Sequence, residues 1–308
     1  MNHSFGRGLI FAVLAFFLWG ILPLYWKLLI AVNPLHILAF RIILSLVLVG
    51  AILLIQKNFN WLTVFKNREK GISIILAAFA LSANWGLYIW AVNNQRTIEA
   101  SLGYYINPLV SIILGMIFFR EKLKPLQWGA FGLAVLGVVL LTIMSTALPW
   151  ISLVLALTFG SYGLFKKKTT LTAMESLGAE TLAVLPLGLF LLLFTFQGSN
   201  SGAGISYSFQ ELSYITELPI HTLLICAFCG LATMLPLYFF SKSAKILPLS
   251  TIGFIQFLGP TIQFLLGLFL FKENFTPEKF IAFGCVWFAV ILYIISLRIY
   301  PKGETKNV

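Results

Sequence analysis

The segment NWGLYIWAVNNQRTIEASLGYYINPLVSIILGMIFF, residues 84–119, holds the end of one long apolar run and the whole of the next, joined by a short polar connector. A run of about 20 apolar residues is long enough for a helix to cross the hydrocarbon core of a bilayer. Amide and tyrosine side chains interrupt both runs, and a polar group in lipid needs a partner helix or a wet cavity. The segment therefore predicts a membrane-spanning helical hairpin that presents polar groups to the protein interior.

The rest of the chain follows the same pattern. Of its 308 residues, 59% are hydrophobic and only 10% are charged, against about a quarter charged in a soluble protein. The runs lack the two-residue alternation of a barrel strand. We therefore predict an all-α polytopic membrane protein with ten transmembrane helices. The ten apolar runs cover residues 8–30, 36–56, 71–92, 100–119, 126–144, 149–165, 176–197, 219–241, 247–271 and 279–298.

The basic residues define a topology. The net charge of the chain, +11, does not indicate nucleic acid, because the basic residues lie in short connectors and form no single stripe. With the N-terminus inside, sixteen fall on the cytoplasmic side and only Arg96, Lys272 and Lys279 outside, while Lys27 and Arg41 lie within helices. This asymmetry predicts that both termini are cytoplasmic. The sixteen are Arg7, Lys57, Lys66, Arg68, Lys70, Arg120, Lys122, Lys124, Lys166, Lys167, Lys168, Lys242, Lys245, Arg298, Lys302 and Lys306.

The two halves of the sequence match each other. Leu87, Tyr88 and Gly103 recur 150 residues later, and five further residues recur at an offset of 152. A duplicated unit of five helices explains these matches. An odd number of crossings inverts the second copy in the membrane, as in many secondary transporters that expose a midplane site alternately to each side. The pairs at 152 are Pro108–Pro260, Gly115–Gly267, Glu121–Glu273, Pro125–Pro277 and Gly132–Gly284.

The predicted organisation is therefore two inverted five-helix repeats, 1–145 and 146–308. The second repeat carries a polar outer loop at 198–218 and a cytoplasmic tail at 299–308. No phosphate-binding G-x-x-x-x-G-K-[ST] motif occurs in the sequence. We expect no ATPase domain in the chain.

Three segments resemble a known family. They are NWGLYIWAVNN and EASLGYYINPLVSIILGMIFF within 83–119, FFLWGILPLYWK at 16–27, and STIGFIQFLGPTIQFLL at 250–266. They resemble the RarD proteins of the EamA-type permeases, in the drug/metabolite transporter superfamily, over nearly the whole chain. The resemblance implies a bacterial inner-membrane permease with cytoplasmic termini and a cavity formed mainly by helices 1, 3, 4, 6, 8 and 9. RarD-type proteins are commonly linked to chloramphenicol sensitivity or resistance, and the resemblance implies export.

The first predicted helix carries candidate site residues on one face. Trp19, Pro23 and Lys27 are spaced four apart. Lys27 is interpreted as attracting an anion, with Trp19 as a flat apolar wall and Pro23 as a hinge. Alternatively, Lys27 extends to the lipid headgroups and Trp19 anchors in the interface.

Charged side chains inside helices are the candidates for coupling or gating, because a charge in hydrocarbon costs about 3 kcal/mol or more and so faces a partner or a wet cavity. Arg41 lies in the second predicted helix and Glu180 in the seventh, its counterpart in the other repeat. Inversion places them toward opposite leaflets, so we expect no direct ion pair. Arg41 is interpreted mainly as an anchor and Glu180 as a protonatable group. Glu99 is either a further candidate for coupling or gating, or it simply interacts favourably with the positive N-terminal end of its helix.

Polar residues in the third, fourth and ninth helices form the predicted binding cluster. They either bond between helices or line a cavity. For Asn107 the cavity is favoured, because Pro108 frees a backbone carbonyl next to it. Pro260 is the counterpart of Pro108. The predicted cluster is Asn84, Tyr88, Tyr104, Asn107, Gln256 and Gln263.

Other motifs are assigned to structure. The motif EKLKP, beginning at Glu121, suits a short turn between helices. Cys226 and Cys229 form a C-x-x-C without a second pair, which favours helix packing over a metal site. No H-E-x-x-H or G-x-S-x-G is present. We therefore expect no catalytic site, metal or cofactor.

These features predict a secondary transporter, an exporter by the resemblance, whose partners are a small organic solute and the lipid bilayer. Aromatic side chains suit flat apolar solutes and amides orient polar groups. A flippase for a lipid-linked headgroup is an alternative that requires a lateral opening between helices. An integral-membrane enzyme and a substrate-free assembly factor fit the polar cluster less well.

Overall fold

Within the described residues each of the ten predicted apolar runs contains helix, although Phe196 and Gln197, the last two residues of the seventh run, belong to a strand. A 3-10 turn at Val64–Lys66 follows the short third helix, and a π-helical turn at Leu266–Leu270 follows the thirteenth. The computed structural model describes residues 3–94, 96–144, 150–193, 196–201, 204–209, 218–270 and 277–300. Its helices are α1 (His3–Lys27), α2 (Pro34–Ile55), α3 (Asn60–Thr63), α4 (Arg68–Asn93), α5 (Thr97–Phe119), α6 (Pro125–Met144), α7 (Trp150–Lys168), α8 (Ala173–Ala183), α9 (Leu185–Leu193), α10 (Ile220–Ala227), α11 (Cys229–Ile246), α12 (Leu249–Gln256), α13 (Leu258–Leu265) and α14 (Pro277–Ile299).

The length and apolarity of these helices suit a membrane. Among the described residues, eight spans are long and apolar enough to cross, and the bent pair α8–α9 makes a ninth. Helix α7 lies outside this set and carries three lysines in its last turn. Large apolar side chains such as Ile55, Phe79 and Phe288 are 83%, 69% and 64% exposed, as expected of surfaces that face lipid. The chain is a multi-pass membrane protein.

Prolines interrupt the hydrogen bonding of several helices. The proline ring clashes with the carbonyl four residues earlier and leaves that oxygen without its usual N–H partner. Pro260 has this relation to Gln256, the last residue of α12. Pro23 has the same relation to Trp19 within α1. Pro186 is the second residue of α9, at a 46° bend between α8 and α9.

The helices of the two predicted repeats interleave. Helix α1 packs against α11 and α13, while α4 and α5 pack against α7. Helix α2 contacts α8, α9 and α11, α5 contacts α12, and α6 contacts α14. Gly253 permits the α5–α12 contact, because a Cβ there would lie 2.7 Å from the carbonyl oxygen of Pro108. The polar segments identified in the sequence therefore meet in the middle of the bundle.

A small hairpin adds to the all-α prediction. Strands β1 (Phe196–Ser201) and β2 (Gly204–Phe209) pair antiparallel, with Phe196 opposite Phe209. Most of the pairing falls in the predicted outer loop, where each strand is a short segment able to extend. The remainder of that loop up to residue 217 lies outside the described residues, as does the tail beyond residue 300.

Candidate functional site

A central cavity of about 130 Å³ lies between the two halves. This volume approaches the roughly 150 Å³ that accommodates benzene in an engineered protein core. Its walls come from α1, α2, α4, α5, α7, α12 and α13. The resemblance implied a contribution from the eighth predicted helix, but α11 supplies no lining residue. The second predicted helix, α2, was not expected in the wall and supplies one. The lining residues are Phe16, Trp19, Leu22, Pro23, Trp26, Arg41, Asn84, Trp85, Tyr88, Tyr104, Asn107, Phe159, Gln256, Gly259, Pro260 and Gln263.

Ten of the fourteen residues proposed from the sequence line this cavity. Of the other four, Lys27 is exposed at the end of α1, and Pro108 is buried in α5. Glu99 is 5% exposed, 3.7 Å from Arg96, and its Oε2 has no hydrogen-bond partner. Glu180 lines a smaller second cavity. The ten are Trp19, Pro23, Arg41, Asn84, Tyr88, Tyr104, Asn107, Gln256, Pro260 and Gln263.

Two amides of the wall also hold neighbouring helices together. The Asn84 side chain donates to the carbonyl of Leu155 at 2.7 Å and to the hydroxyl of Thr158 at 3.0 Å. Oε1 of Gln256 accepts from the Ser111 hydroxyl at 3.3 Å. Asn84 and Gln256 therefore both line the cavity and form hydrogen bonds between helices.

A third amide uses a carbonyl that a proline makes available. Pro23 removes the normal helical partner of the Trp19 carbonyl. Nε2 of Gln263 donates to that oxygen at 3.3 Å, from the other half of the molecule. Irregular backbone is stable at membrane depth when such partners replace the lost bond. The carbonyl that Pro23 leaves without a helical partner thus accepts a hydrogen bond that joins α1 to α13 at the cavity wall.

Asn107 is the exception among the amides. It is 3% exposed, lines the cavity, and its Oδ1 has no hydrogen-bond partner. A buried acceptor without a partner costs about 1–3 kcal/mol. Its position in the wall makes it available to a donor group on a solute.

Arg41 reaches the cavity from α2 between two tryptophans. Its guanidinium carbon lies 3.9 Å from the ring centroid of Trp85 and 4.9 Å from that of Trp26. Nε donates to the Thr233 hydroxyl at 3.0 Å. No carboxylate of the described residues forms an ion pair with it. Two aromatic faces and one hydroxyl therefore hold a cation that the described protein leaves without a counter-ion.

Glu180 has the opposite environment. Its Oε1 lies 2.8 Å from Nζ of Lys166, and the two side chains are 4% and 0% exposed. The same oxygen accepts from the Ser176 hydroxyl at 2.7 Å, and Oε2 accepts from the Tyr162 hydroxyl at 3.3 Å. The sequence count assigned Lys166 to a cytoplasmic connector, but its ammonium is buried in this pair. Burial follows from its position on the same face of α7 as Tyr162, one turn earlier.

A second cavity of about 20 Å³ lies between Arg41 and Glu180. It is lined by both Arg41 and Glu180, together with Trp85, which also lines the central cavity. The volume has room for about one water molecule. No ion pair between Arg41 and Glu180 occurs among the described contacts.

Aromatic rings close one end of the central cavity. Phe240 of α11 contacts Trp19, Phe159 and Phe16 with ring centroids 5.6–6.0 Å apart. It also stacks on Tyr162 at 5.7 Å. Along α7, Phe159 and Tyr162 lead from the cavity toward the Lys166–Lys168 turn. These rings therefore lie between the cavity and the lysine-bearing end of α7.

A polar contact lies at the same end. The two carboxylate oxygens of Glu121 accept from the backbone N–H groups of Leu249 and Ser250 at 2.7 and 2.8 Å, at the start of α12. Nζ of Lys167 lies 3.9 Å from Glu121 and donates to the carbonyl of Leu247. Arg120, with φ 52°, ends α5 just before it. The EKLKP turn is thus also a connection between the two halves.

Sequence reasoning missed six of the lining residues. Trp85 and Trp26 adjoin predicted residues within the quoted motifs, so their position next to amides and Lys27 was a usable signal. Phe159 has no such signal, because it is one apolar residue within an apolar run. Those missed are Phe16, Leu22, Trp26, Trp85, Phe159 and Gly259.

The fold and the cavity define a class: helical membrane proteins with a polar-walled chamber at the centre of the bundle. The profile of the EamA-like transporter family matches residues 6–143. The chain is 42% identical to Protein RarD of Streptomyces exfoliatus over 97% of its own length and 92% of that protein. It is 40% identical to the uncharacterized transporter YojE of Bacillus subtilis, over 98% and 97% of the two chains.

The chain therefore belongs to the EamA-like transporter family, as a RarD-type permease. A solved crystal structure shares the fold with a TM-score of 0.69 at 17% identity, covering 94% of this chain and 98% of the other. The relatives identify a transporter and not an enzyme. In the described residues no group of three or more His, Cys, Asp or Glu could hold a metal ion.

Proposed function

We propose that this permease moves a small organic solute across the bacterial inner membrane by alternating access, with the central cavity as the binding site. The observation that carries the proposal is a chamber walled by four amides, two tyrosines and one arginine inside an otherwise apolar bundle. Polar groups at membrane depth are costly and are retained where they serve a substrate pathway. The volume of the cavity is close to that needed for one aromatic ring, so we expect a solute of about that size.

The helix contacts support two inverted five-helix repeats, 1–145 and 146–308, with α7 as one of ten spans. In this arrangement α7 is the equivalent of α1, α4 of α11, and α5 of α13. The packing of α1 against α11 and α13 is then matched by the packing of α7 against α4 and α5. The pairs α5–α12 and α6–α14 join equivalent helices of the two repeats. Rocking of such repeats around a fixed site is the usual basis of alternating access.

In this scheme the structure represents a state closed toward the cytoplasm. In the topology predicted from the charge distribution, Lys166–Lys168 and both termini lie on the cytoplasmic side. The aromatic rings around Phe240 and the contact of Glu121 with α12 both lie toward that end. For substrate to be exported, these two layers must open to the cytoplasm.

The Lys166–Glu180 pair is the proposed coupling element. It is buried, and it borders the small cavity that separates it from Arg41. Protonation of Glu180 would release Lys166 as an unpaired buried cation, so a change at this pair alters the electrostatic balance of the binding site. A proton gradient would then drive export through this pair.

The proposal can be tested with the purified full chain in proteoliposomes. We expect faster uptake than in empty liposomes for at least one of a set of aromatic carboxylates, amino acids and chloramphenicol, with a pH gradient increasing the rate. Gly259→Phe places a ring in the cavity and should abolish uptake, since the glycine lines the wall. Gly129→Phe is the matched control, because a Cβ there meets nothing within 4 Å.

Uptake that is equal in the two phenylalanine variants would contradict the site. Failure of every solute with the unmodified, folded protein would contradict the function. Glu180→Gln should keep binding but lose the effect of the pH gradient. An unchanged gradient effect in Glu180→Gln would remove this residue from the coupling scheme.

A further inference from the structure

We infer that the solute of this cavity is a small organic carboxylate with one flat apolar ring and one hydrogen-bond donor, and that Arg41 binds its carboxylate. The inference rests on the proposed function, because it names the substrate class of the same site. It differs from the sequence-based expectation, in which Lys27 attracted the anion.

The first step is the charge balance around the cavity. Among the described residues, three charged side chains belong to the wall or its neighbourhood: Arg41 lines the central cavity, Glu180 lines the second cavity beside Arg41, and Lys166 pairs with Glu180. The carboxylate of Glu180 is already engaged by Lys166 and two hydroxyls. The group therefore carries one excess positive charge. An anion entering the cavity would balance that charge in a medium where screening by water is weak.

The second step is the geometry of Arg41. Trp85 and Trp26 lie beside its guanidinium, at 3.9 and 4.9 Å, and fix its position. One hydrogen bond to Thr233 uses one of five N–H donors. A planar guanidinium with free donors matches a carboxylate through two parallel hydrogen bonds. Lys27, in contrast, is exposed and is not part of the wall.

The third step is the remainder of the wall. Tyr88 and Tyr104 contact each other edge to face at 5.6 Å, and Trp19 and Phe159 do so at 5.4 Å. These rings provide apolar faces for a flat group. The buried Oδ1 of Asn107 lacks a donor. A hydroxyl or ammonium group next to the carboxylate of the solute would satisfy it.

Equilibrium binding to the purified full chain tests the inference, with tryptophan fluorescence as the readout because two tryptophans flank Arg41. The probes are 3-phenyllactate, L-phenylalanine, 3-phenylpropanoate and benzoate, each compared with its methyl ester. We expect the acids to bind at least about tenfold more tightly than the esters, since hydrogen bonds to charged groups contribute about 1.5–3 kcal/mol. The two probes with a donor should bind more tightly than 3-phenylpropanoate.

Three charge-removing variants locate the anion site. Arg41→Gln should weaken binding of the acids about tenfold to a hundredfold and leave the esters unchanged. Lys124→Gln, on an exposed connector lysine, is the control and should bind like the unmodified chain. Lys27→Gln should also bind normally. A loss in Lys27→Gln without one in Arg41→Gln would overturn the inference in favour of Lys27.

The donor requirement has its own variant. Asn107→Leu should remove the preference for 3-phenyllactate over 3-phenylpropanoate without affecting the preference for acid over ester. If Arg41→Gln does not fold, the acid–ester comparison on the unmodified chain decides the question alone. Equal affinity for acids and esters, or no binding of any acid, would overturn the inference.

The transport assay separates this inference from the proposed function. Uptake of neutral solutes without uptake of acids would leave a transporter and refute the carboxylate site. Binding of acids without any transport would support the site and refute the transport function.

Discussion

Arg41 and Glu180 occupy corresponding helices of the two predicted repeats, yet the protein surrounds them differently. Glu180 has a lysine at 2.8 Å and two hydroxyl donors. Arg41 has two aromatic faces and one hydroxyl, with no carboxylate partner among the described residues. A buried charge with its own counter-ion is satisfied by the fold. A charge in the cavity wall without a counter-ion is available to a ligand, which is why the two positions take different roles in the proposed mechanism.

The largest expected effect comes from breaking the satisfied pair. Glu180→Leu leaves the Lys166 ammonium buried without a carboxylate. Removal of one partner of a buried ion pair typically lowers the free energy of unfolding by about 3–5 kcal/mol. Thermal unfolding of the purified protein in detergent should show a correspondingly lower midpoint.

The double variant Lys166→Met with Glu180→Leu provides the control. Replacement of both charges by apolar groups of similar size is often neutral for stability. We expect it to recover most of the loss of the single variant. A double variant as unstable as Glu180→Leu alone would mean that packing, and not the unpaired charge, causes the effect.

Removal of the Arg41 charge should change the free energy of unfolding in the opposite direction. An arginine at the centre of a helix costs about 3 kcal/mol on insertion scales, and its ring contacts and single hydrogen bond offset part of this. Arg41→Met keeps the length of the side chain and removes the charge. We expect the free energy of unfolding to rise by about 1 kcal/mol in the same thermal assay, while binding of acids is lost.

A fall of several kcal/mol in Arg41→Met would contradict the comparison. It would mean that the fold requires the charge of Arg41, as it requires that of Lys166. Such a result would restore the sequence-based interpretation of Arg41 as an anchor.

The sequence was sufficient to predict the helices and much of the cavity. Apolar runs of membrane length specify helices because no other open structure satisfies its backbone in lipid. Amides and prolines inside such runs are costly unless they face the interior, so Asn84, Asn107 and Gln256 could be assigned to the cavity or its supports. Their detailed partners, Leu155 and Ser111, could not be read from the chain.

The rest depends on contacts between distant residues. Lys166 looked like part of a cytoplasmic lysine cluster, because its burial depends on Glu180 of the next helix. Phe159 and Phe240 are ordinary apolar residues until packing brings their rings together. Glu121 looked like part of a turn, although its carboxylate binds the start of α12, 128 residues away. Patterns within one helix carry no information about such pairings.

Glu121 also gives a small expected effect and sharpens the comparison with Glu180, because each carboxylate pairs with a lysine of the last turn of α7. The Glu121 pair is longer, at 3.9 Å, and both side chains are partly exposed. Solvent screening weakens such a pair, so the two backbone N–H donors of α12 account for most of the contribution. Glu121→Gln keeps one acceptor oxygen and should lower the free energy of unfolding by about 1 kcal/mol.

The exposed Glu69→Gln is the matched control and should change stability by less than about 0.5 kcal/mol. Because the Glu121 contact lies at the end that we propose is closed toward the cytoplasm, its loss should also increase the rate at which a thiol reagent applied from that side labels a cysteine introduced at Gly259. This test requires a background in which Cys226, Cys229 and Cys285 are replaced by serine or alanine. Stability and labelling that both match the control would reduce Glu121 to a turn residue. We expect a change in labelling together with a stability loss well below that of Glu180→Leu, because in the proposed transport cycle this contact must open and so cannot contribute as much to stability as the buried Lys166–Glu180 pair.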